Sequence, residues 1–377
     1  MPVRRITMTQ FRNYQHQVFE FSPDMNILYG PNGCGKTTLL EAIHCLAVTR
    51  SFKTIHDRHL VKHETDYFQL EGEFYSGQTQ DTIQLNYVPS QGKRLIINEE
   101  VQAKLSAVVG RYPVVTLTPE DGEITFGAPA IRRKYFNKLV SQTSVKQMGL
   151  LIDLDSVLKQ RNALLQTAAD HPENQTDETL MSVFDEQLIE ISAAVEQARE
   201  AFLSEFRPIF QSCYEDLNRG RRNVRIRFTP SVRFTDQETF ETEFKEALTR
   251  RRNQEIGFRR TMVGPQSDIF DLYLDGNNLR DYGSQGEHKL ILIALKMAEG
   301  RYLSGKRNQS PIYLFDDLFA ELDIDRSQQL LQVLDQGGQI IITSTDLSDI
   351  RQHGLDLDQK NVSVIDMDAR MMSGAQA

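Results

Sequence analysis

The sequence predicts an α/β chain whose sheet-forming ends are separated by a helical insertion. Three observations carry that expectation. "MNILYG" (25–30) is a short apolar run that ends in glycine, and a helical period follows it in "TLLEAIHCLAV" (38–48). "PIYLFDD" (311–317) and "GGQIIITSTD" (337–346) are apolar runs of the length and composition of buried parallel strands. Between about residues 130 and 208, strand-like alternation gives way to long helical periods. The expected organisation is therefore one α/β domain built from residues 1–130 and 262–377, interrupted by a helical arm or second domain over 131–261.

Each element has its own signal. "RRITMTQFRNY" and "QVFEFS" alternate apolar and polar residues, as half-buried strands do. Residues 66–100 continue in the same manner, with turn residues near 76–77 and 90–92. Within 38–48, Leu39, Leu40, Ile43, Leu46 and Ala47 share one helical face. Residues 144–169 and 178–210 both have helical period, and "DHPENQTD" (170–177) joins them, which gives an antiparallel helical hairpin. Strand-like pieces return after 222, followed by helices over 237–256 and 325–335. "ARMMSGAQA" at the end reads as frayed.

Bulk composition excludes several classes. The chain of 377 residues is 40% hydrophobic and 25% charged, which is globular, and it contains no stretch of about 20 apolar residues to cross a membrane. "MPVRRITMTQFRNY" has no apolar core of a secretory signal. Cys34, Cys45 and Cys213 have no metal-site spacing or pairing pattern, and a reducing cytoplasm is the expected compartment. The net charge of −9 argues against a passive nucleic-acid coat. Arginine is nevertheless concentrated in "IRRKYFNK" (131–138), "NRGRRNVRIRF" (218–228) and "TRRRNQEIGFRR" (249–260), while acid dominates 170–205 and 315–358.

"GPNGCGKT" fits G-x-x-x-x-G-K-[ST] in full, with an apolar strand before it and a helix after it. Gly30, Gly33 and Gly35 let the backbone wrap phosphates, and Pro31, Asn32 and Cys34 complete the loop. The helix that starts at Lys36, Thr37 and Thr38 adds its positive dipole end. Lys36 is expected to reach the outer phosphates, and Thr37 to ligate Mg²⁺ through its hydroxyl. A parallel strand through "IYLF" would deliver Asp316 to the Mg²⁺ shell. It would also bring Asp317 to a water-orienting or general-base position. The expected cofactors are ATP and Mg²⁺.

A second polar helix start follows far along the chain. Ser284, Gln285, Gly286 and Glu287 in "YGSQGEHKLILIAL" precede an apolar helical run. One reading is an ordinary capping box, Ser284 with Glu287 three residues on. The other is the signature turn of an ABC-type ATPase, which caps the nucleotide held by an opposing copy. The order of parts favours the latter: phosphate loop, long insertion, signature turn, carboxylate strand, then "AELD" (320–323). The fold class is then α/β, an ABC-type P-loop ATPase head with an inserted helical arm domain. One chain carries one set of parts, so an ATP-sandwiched homodimer is expected.

On these residues the chain resembles the RecF family of bacterial recombination-mediator ATPases, related to SMC proteins. "FRNY" (11–14), "RSFK" (50–53), "LTPEDGEITFGAPAIRRKYFNKLVSQ" (117–142), "LKQRNALL" (158–165) and "GSQGEHK" (283–289) carry the likeness across nearly the whole chain. The resemblance implies slow ATP hydrolysis, ATP-dependent dimerisation, binding to single-stranded or gapped DNA, and a role with RecR in loading RecA after damage. The chain departs from the family where Gly-Pro-His-Arg-Asp-Asp is usual: "GPQSDIF" (264–270) puts Gln266 and Ser267 in place of His and Arg. His288 stands where Gln is common, and Thr345 where ABC ATPases usually have a switch His. "TPEDG" (118–122) occupies the place of the glutamine loop.

Candidate DNA contacts are Arg221, Arg222, Arg225 and Arg227, then Arg132, Arg133 and Lys134. The alternative for Arg132 and Arg133 is structural: salt bridges that pin the arm. An ABC transporter ATPase subunit shares the motifs, but the Asp-Asp pair, the missing switch His and the long insertion speak against it. A tether of SMC type would need a long coiled coil, and a helicase motor would leave the signature turn without a role.

Overall fold

The computed structural model describes residues 2–76, 79–171, 178–218, 222–232, 237–318, 324, 327–328, 330–331, 337–357 and 361–369. Arg221, "AELD" (320–323), most of the expected helix 325–335, residues 172–177 of the connector and residues 370–377 of the tail lie outside these. The chain divides into two compact units, one of Met1–Gly122, Ser212–Gly220 and Gln285–Ala377, the other of Glu123–Gln211 and Arg221–Ser284.

The first unit holds two sheets. The antiparallel sheet contains β1 (Val3–Phe11), β2 (Tyr14–Glu20), β4 (Phe68–Ser76), β5 (Thr79–Val88), β6 (Gly92–Ile97) and β7 (Glu100–Val101), in the order β2-β1-β4-β5-β6-β7. The second contains β3 (Met25–Tyr29), β8 (Val114–Leu117), β12 (Ile312–Phe315), β13 (Gln339–Ser344) and β14 (Val362–Asp366), all parallel, in the order β14-β3-β13-β12-β8. Strands β8, β12 and β13 are buried at every position, as expected for a parallel sheet covered on both faces. Helix α1 (Lys36–Val48) touches both sheets and is buried at eleven positions that surround it, so its apolar run faces core on all sides. Gln339 links the sheets: its amide accepts from the Val3 N–H at 2.8 Å and donates to the carbonyls of Val3 and Ser22 at 2.7 Å each. This unit also holds α8 (Gln285–Arg307).

The parallel order positions the site. β13 lies between β3, which feeds the phosphate loop, and β12, which ends in Asp316. All three strands run the same way, so the loops after them open at one edge of the sheet.

The second unit is mainly helical: α2 (Glu123–Phe126), α3 (Pro129–Thr143), α4 (Val145–Asp170), most of α5 (Glu178–Leu217), α6 (Gln237–Phe258) and α7 (Leu279–Tyr282). Ser144 stands between α3 and α4 in an extended conformation, and its side chain caps α4 by accepting from the Gln147 N–H. α5 runs past the expected end at 210 and carries Pro208 in its interior. An interior proline costs about 3 kcal/mol, but Phe206, Phe210, Cys213 and Tyr214 on the same helix are all fully buried. Each buried aromatic contributes roughly 1.5–3 kcal/mol, which offsets the break.

A three-stranded sheet of β9 (Val224–Thr229), β10 (Ile269–Leu274) and β11 (Asn277–Asn278) completes this unit. Residues 262–284 were expected with the ATPase head; they fall in the second unit because β10 pairs along its whole length with β9, from Ile269 opposite Thr229 to Leu274 opposite Val224. Phe270 on β10 packs against Phe136 and Phe228, with ring centres 4.8 and 4.9 Å apart.

Arg161, in the middle of "LKQRNALL", ties α4 to α5 and α6. Its guanidinium donates to Asp185 (2.7 Å), Glu255 (2.7 Å) and Thr261 Oγ1 (2.9 Å). Arg161 and Glu255 are both wholly excluded from solvent. Removing the arginine strands a buried carboxylate. The Arg161→Met variant is therefore expected to lose about 3–5 kcal/mol of unfolding free energy in denaturant titrations. A loss near zero would show that the network contributes nothing to the fold.

Candidate nucleotide site

The loop after β3 has the conformation that its glycines permit. Gly30, Gly33 and Gly35 adopt φ of 151°, 86° and 92°, and the Gly30 N–H donates to the Ser344 carbonyl at the end of β13. α1 has no side-chain N-cap and no acid in its first turn. Its leading N–H groups thus lack intrahelical partners and side-chain caps, and an anion is the natural ligand for them. Lys36 is buried, with Nζ 2.7 Å from the Gly30 carbonyl and 3.1 Å from that of Pro31.

The strand order brings Asp316 to Thr37. Thr37 Oγ1 donates to the carboxylate, 2.9 and 2.8 Å from its two oxygens. Thr343 Oγ1, from the intervening β13, donates to Asp316 Oδ1 at 2.8 Å and accepts from the Asp317 N–H at 2.9 Å. A threonine hydroxyl beside a buried carboxylate is a hard-oxygen donor pair. It suits Mg²⁺, which takes one or two protein oxygens and completes its shell with water and phosphate. Among the described residues no group of three or more His, Cys, Asp or Glu forms a metal cage by itself. The cradle and the donor set therefore fit a magnesium–nucleotide.

Asp317 stands in the left-handed region at φ 51°, a costly conformation for a residue other than glycine. Burial first, and then the Asp316 charge, raises its carboxyl above the ordinary value, while Lys36 and Lys53 pull the other way. A carboxyl of this kind holds its proton more readily than a surface aspartate.

Sequence reasoning missed several members of the site. Thr343 lies in an apolar strand, and only the strand order shows that it supports Asp316. Arg12 and Glu41 form a two-pronged ion pair of 2.9 and 2.7 Å, and Ser51 donates to the same Glu41 carboxylate. "FRNY" and "RSFK" contained Arg12 and Ser51, but their meeting on α1 is a property of the fold.

The signature residues stand at the start of α8. Ser284 immediately precedes the helix, and Gln285, Gly286 and Glu287 form its first turn. They are not part of the Thr37–Asp316–Thr343 cluster. Burial lowers the His288 imidazole below its ordinary pKa, so it favours the neutral form.

The arginine candidates separate. Arg132 is buried and donates to the Phe270 and Gly127 carbonyls and to Asp271 (3.0 Å), so it is structural and not a solvent-facing contact. Arg133 is half-buried and donates to the Asp268 carbonyl at 2.8 Å. All these partners lie in the second unit, so the pair does not pin that unit to the head by these bonds. Lys134 is exposed. Arg222 pairs with Asp275 at 2.7 Å. Arg225 and Arg227 alternate with buried Val224 and Ile226 on β9 and face solvent. The departing segment "GPQSDIF" has a structural role as well: buried Asp268 accepts from Arg199 and from the Ser231 N–H, and Gln266 turns back to the Val263 carbonyl.

The Asp317 carboxyl gives a stability test. Its folded-state pKa lies above the ordinary 3.8, so the folded chain is favoured most below that value and loses this contribution as pH rises through the raised one. Asparagine escapes the loss. Nucleotide-free Asp317→Asn is expected to melt at or above the parent near neutral pH, with the difference closing in acid. A lower melting temperature near neutral pH would contradict the origin assigned to the shift.

Comparison with known proteins agrees with this geometry. The family model described as RecF/RecN/SMC N terminal domain matches residues 2–365. The chain is 33% identical over 353 residues to the DNA replication and repair protein RecF of Salinibacter ruber, covering 92% of this chain and 85% of that protein. It is likewise 33% identical to RecF of Streptococcus pneumoniae strain CGSP14, covering 93% and 94%. The solved structure of the recombination mediator protein RecF with ATP in the RecFOR pathway superposes with a TM-score of 0.84 at 28% identity, over 92% of each chain. An Smc head bound to the C-winged helix domain of ScpA shares the fold, with a TM-score of 0.53 at 15% identity over 93% of this chain and 92% of that one. An ABC ATPase head of the RecF and SMC kind accounts for the parallel sheet, the phosphate loop and the paired aspartates together, and the chain belongs to the RecF family.

Proposed function

We propose that this chain is a Mg²⁺-dependent ATPase switch of DNA replication and recombinational repair. The observation that carries the reading is the Thr37–Asp316–Thr343 cluster beside the glycine loop, with Asp317 raised in pKa next to it. Lys36 and the N–H groups of the loop hold the phosphates. Thr37 and Asp316 hold Mg²⁺, which when bound neutralises phosphate charge in the transition state. Asp317 orients the attacking water and takes its proton.

The nucleotide joins two copies. Ser284, Gln285, Gly286 and Glu287 of one copy offer a hydroxyl and a helix N-terminus to the γ-phosphate held by the other. Closure places basic surface of both copies on DNA with single-stranded gaps or gap edges. Arg225 and Arg227, exposed on β9, are the contacts this account favours. Contacts to phosphates give affinity and salt dependence with little sequence preference. By likeness to relatives whose ATP-bound structure is assigned to the RecFOR pathway, RecR is a protein partner, and RecA loading within the SOS response is the context. The compartment is the cytoplasm; no described helix is long and apolar enough to cross a membrane.

Sedimentation of three proteins with ATP and Mg²⁺ tests this reading. The parent is expected to dimerise. Lys36→Ala is expected to lose both nucleotide binding and dimerisation. Ser284→Arg is expected to bind ATP as a monomer. A Ser284→Arg protein that dimerises like the parent would remove the signature turn from the proposed sandwich.

A further inference from the structure

Resting on the nucleotide reading above, we infer that Tyr14 is a positioning residue for the phosphate loop: its phenol fixes the Cys34–Gly35 peptide so that the Gly35 N–H faces the phosphate. Tyr14 opens β2 and is buried at 4% exposure. Its Oη donates to the Cys34 carbonyl at 3.3 Å, inside the loop and two residues before the start of α1. The contact is close enough to dictate the neighbouring residue, because a Cβ added to Gly35 would lie 2.3 Å from Oη and 2.7 Å from Cζ.

The consequence follows from peptide geometry. Among the described residues no peptide is cis. In a trans peptide the carbonyl and the following N–H point in opposite directions. A Cys34 carbonyl held towards Tyr14 thus directs the Gly35 N–H away from the ring, towards the concave side of the loop. Gly35 needs such a restraint, because at φ 92° a glycine has several accessible orientations of its peptide and no side chain to select one. Holding the donor before the ligand arrives removes an ordering cost from binding.

The phenol is itself held from two sides. Its ring packs edge-on against Phe19, with centres 5.9 Å apart. The turn before it is anchored by Arg12, which sits at φ 54°, donates its N–H to the Leu60 carbonyl at 2.8 Å and clasps buried Glu41 on α1. One hairpin turn therefore grips both the loop, through Tyr14, and the helix that follows it, through Arg12. Burial raises the Tyr14 phenol well above its ordinary pKa, so it remains a donor throughout the working range.

The test is Tyr14→Phe, which keeps the ring and removes the donor, measured for ADP and ATP binding and for turnover. A lost hydrogen bond of ordinary strength corresponds to affinity reduced about 3- to 10-fold. The expected result is that reduction for ADP and ATP alike, a raised KM, and kcat within about twofold of the parent, because the loop is used equally in ground and transition states. 3-Fluorotyrosine placed at position 14 keeps the donor and is expected to bind like the parent, which also covers the case of a poorly folding Phe variant. Unchanged ADP and ATP affinity in a folded Tyr14→Phe protein, or weakened affinity with fluorotyrosine, would overturn the inference while leaving the nucleotide reading intact. A parent that binds neither nucleotide would overturn the nucleotide reading itself.

Discussion

The Asp316 carboxylate, held between the hydroxyls of Thr37 and Thr343, is the constraint on which the site depends. It joins three segments far apart in sequence: the start of α1, the end of β12 and the end of β13. Asp316 is 7% exposed, and burial of its polar oxygens is offset by the donors that surround them. That requirement fixes the order of the strands, since Thr343 can reach Asp316 only if β13 lies beside β12. It also fixes the ends of the strands, because Thr343 binds the carboxylate with its hydroxyl hydrogen and the Asp317 N–H with its oxygen. The same arrangement leaves Asp317 on a left-handed backbone, next to a like charge and partly buried. Strain and charge are thus concentrated at the one position whose chemistry would benefit from a basic, poorly solvated carboxylate.

Glu41, on the helix that follows the phosphate loop, is a second centre of organisation. It is a buried acid in the middle of α1, and it collects Arg12 from the β1–β2 turn and Ser51 from the loop after α1. Ser51 in turn accepts the N–H groups of Lys53 and Thr54. Lys53 is one of the two cations that oppose the raised pKa of Asp317. The helix behind the phosphate loop therefore also sets the path of the segment that bears on the second aspartate. In the helical unit Arg161 and Asp268 have comparable roles: each is a buried charge that fixes several elements at once.

Much of this was legible in the sequence where local chemistry is strong. The phosphate loop is visible because its glycines, lysine and threonine follow a rule of backbone conformation that few other sites share. Asp316 and Asp317 are visible because two acids after four apolar residues are unusual at the end of a buried strand. What was not legible depends on long-range pairing. Nothing in "IITSTDL" marks Thr343 as the partner of Asp316 rather than Thr345. For Arg132 the sequence leaves a DNA contact and a structural ion pair both open, because three basic residues in a row also suit a solvated face; its burial follows from helical phase, which turns Arg132 inward to Phe270 and Asp271 and leaves Lys134 outside. The grouping of residues 262–284 with the second compact unit is hidden for a similar reason. The pairing of β9 with β10 spans a helix of the insertion, and no short-range signal reports it.

In the proposed function one chain supplies half of two composite sites, completed when ATP brings two copies together. The most direct test is sedimentation of the Asp317→Asn protein, which is expected to bind ATP without hydrolysing it, with and without ATP and Mg²⁺, each with and without a gapped duplex. The account predicts a dimer only in the presence of ATP, with the DNA travelling on the dimer. A monomer under all four conditions would contradict it, leaving a P-loop ATPase whose Ser284 turn is no more than a helix cap.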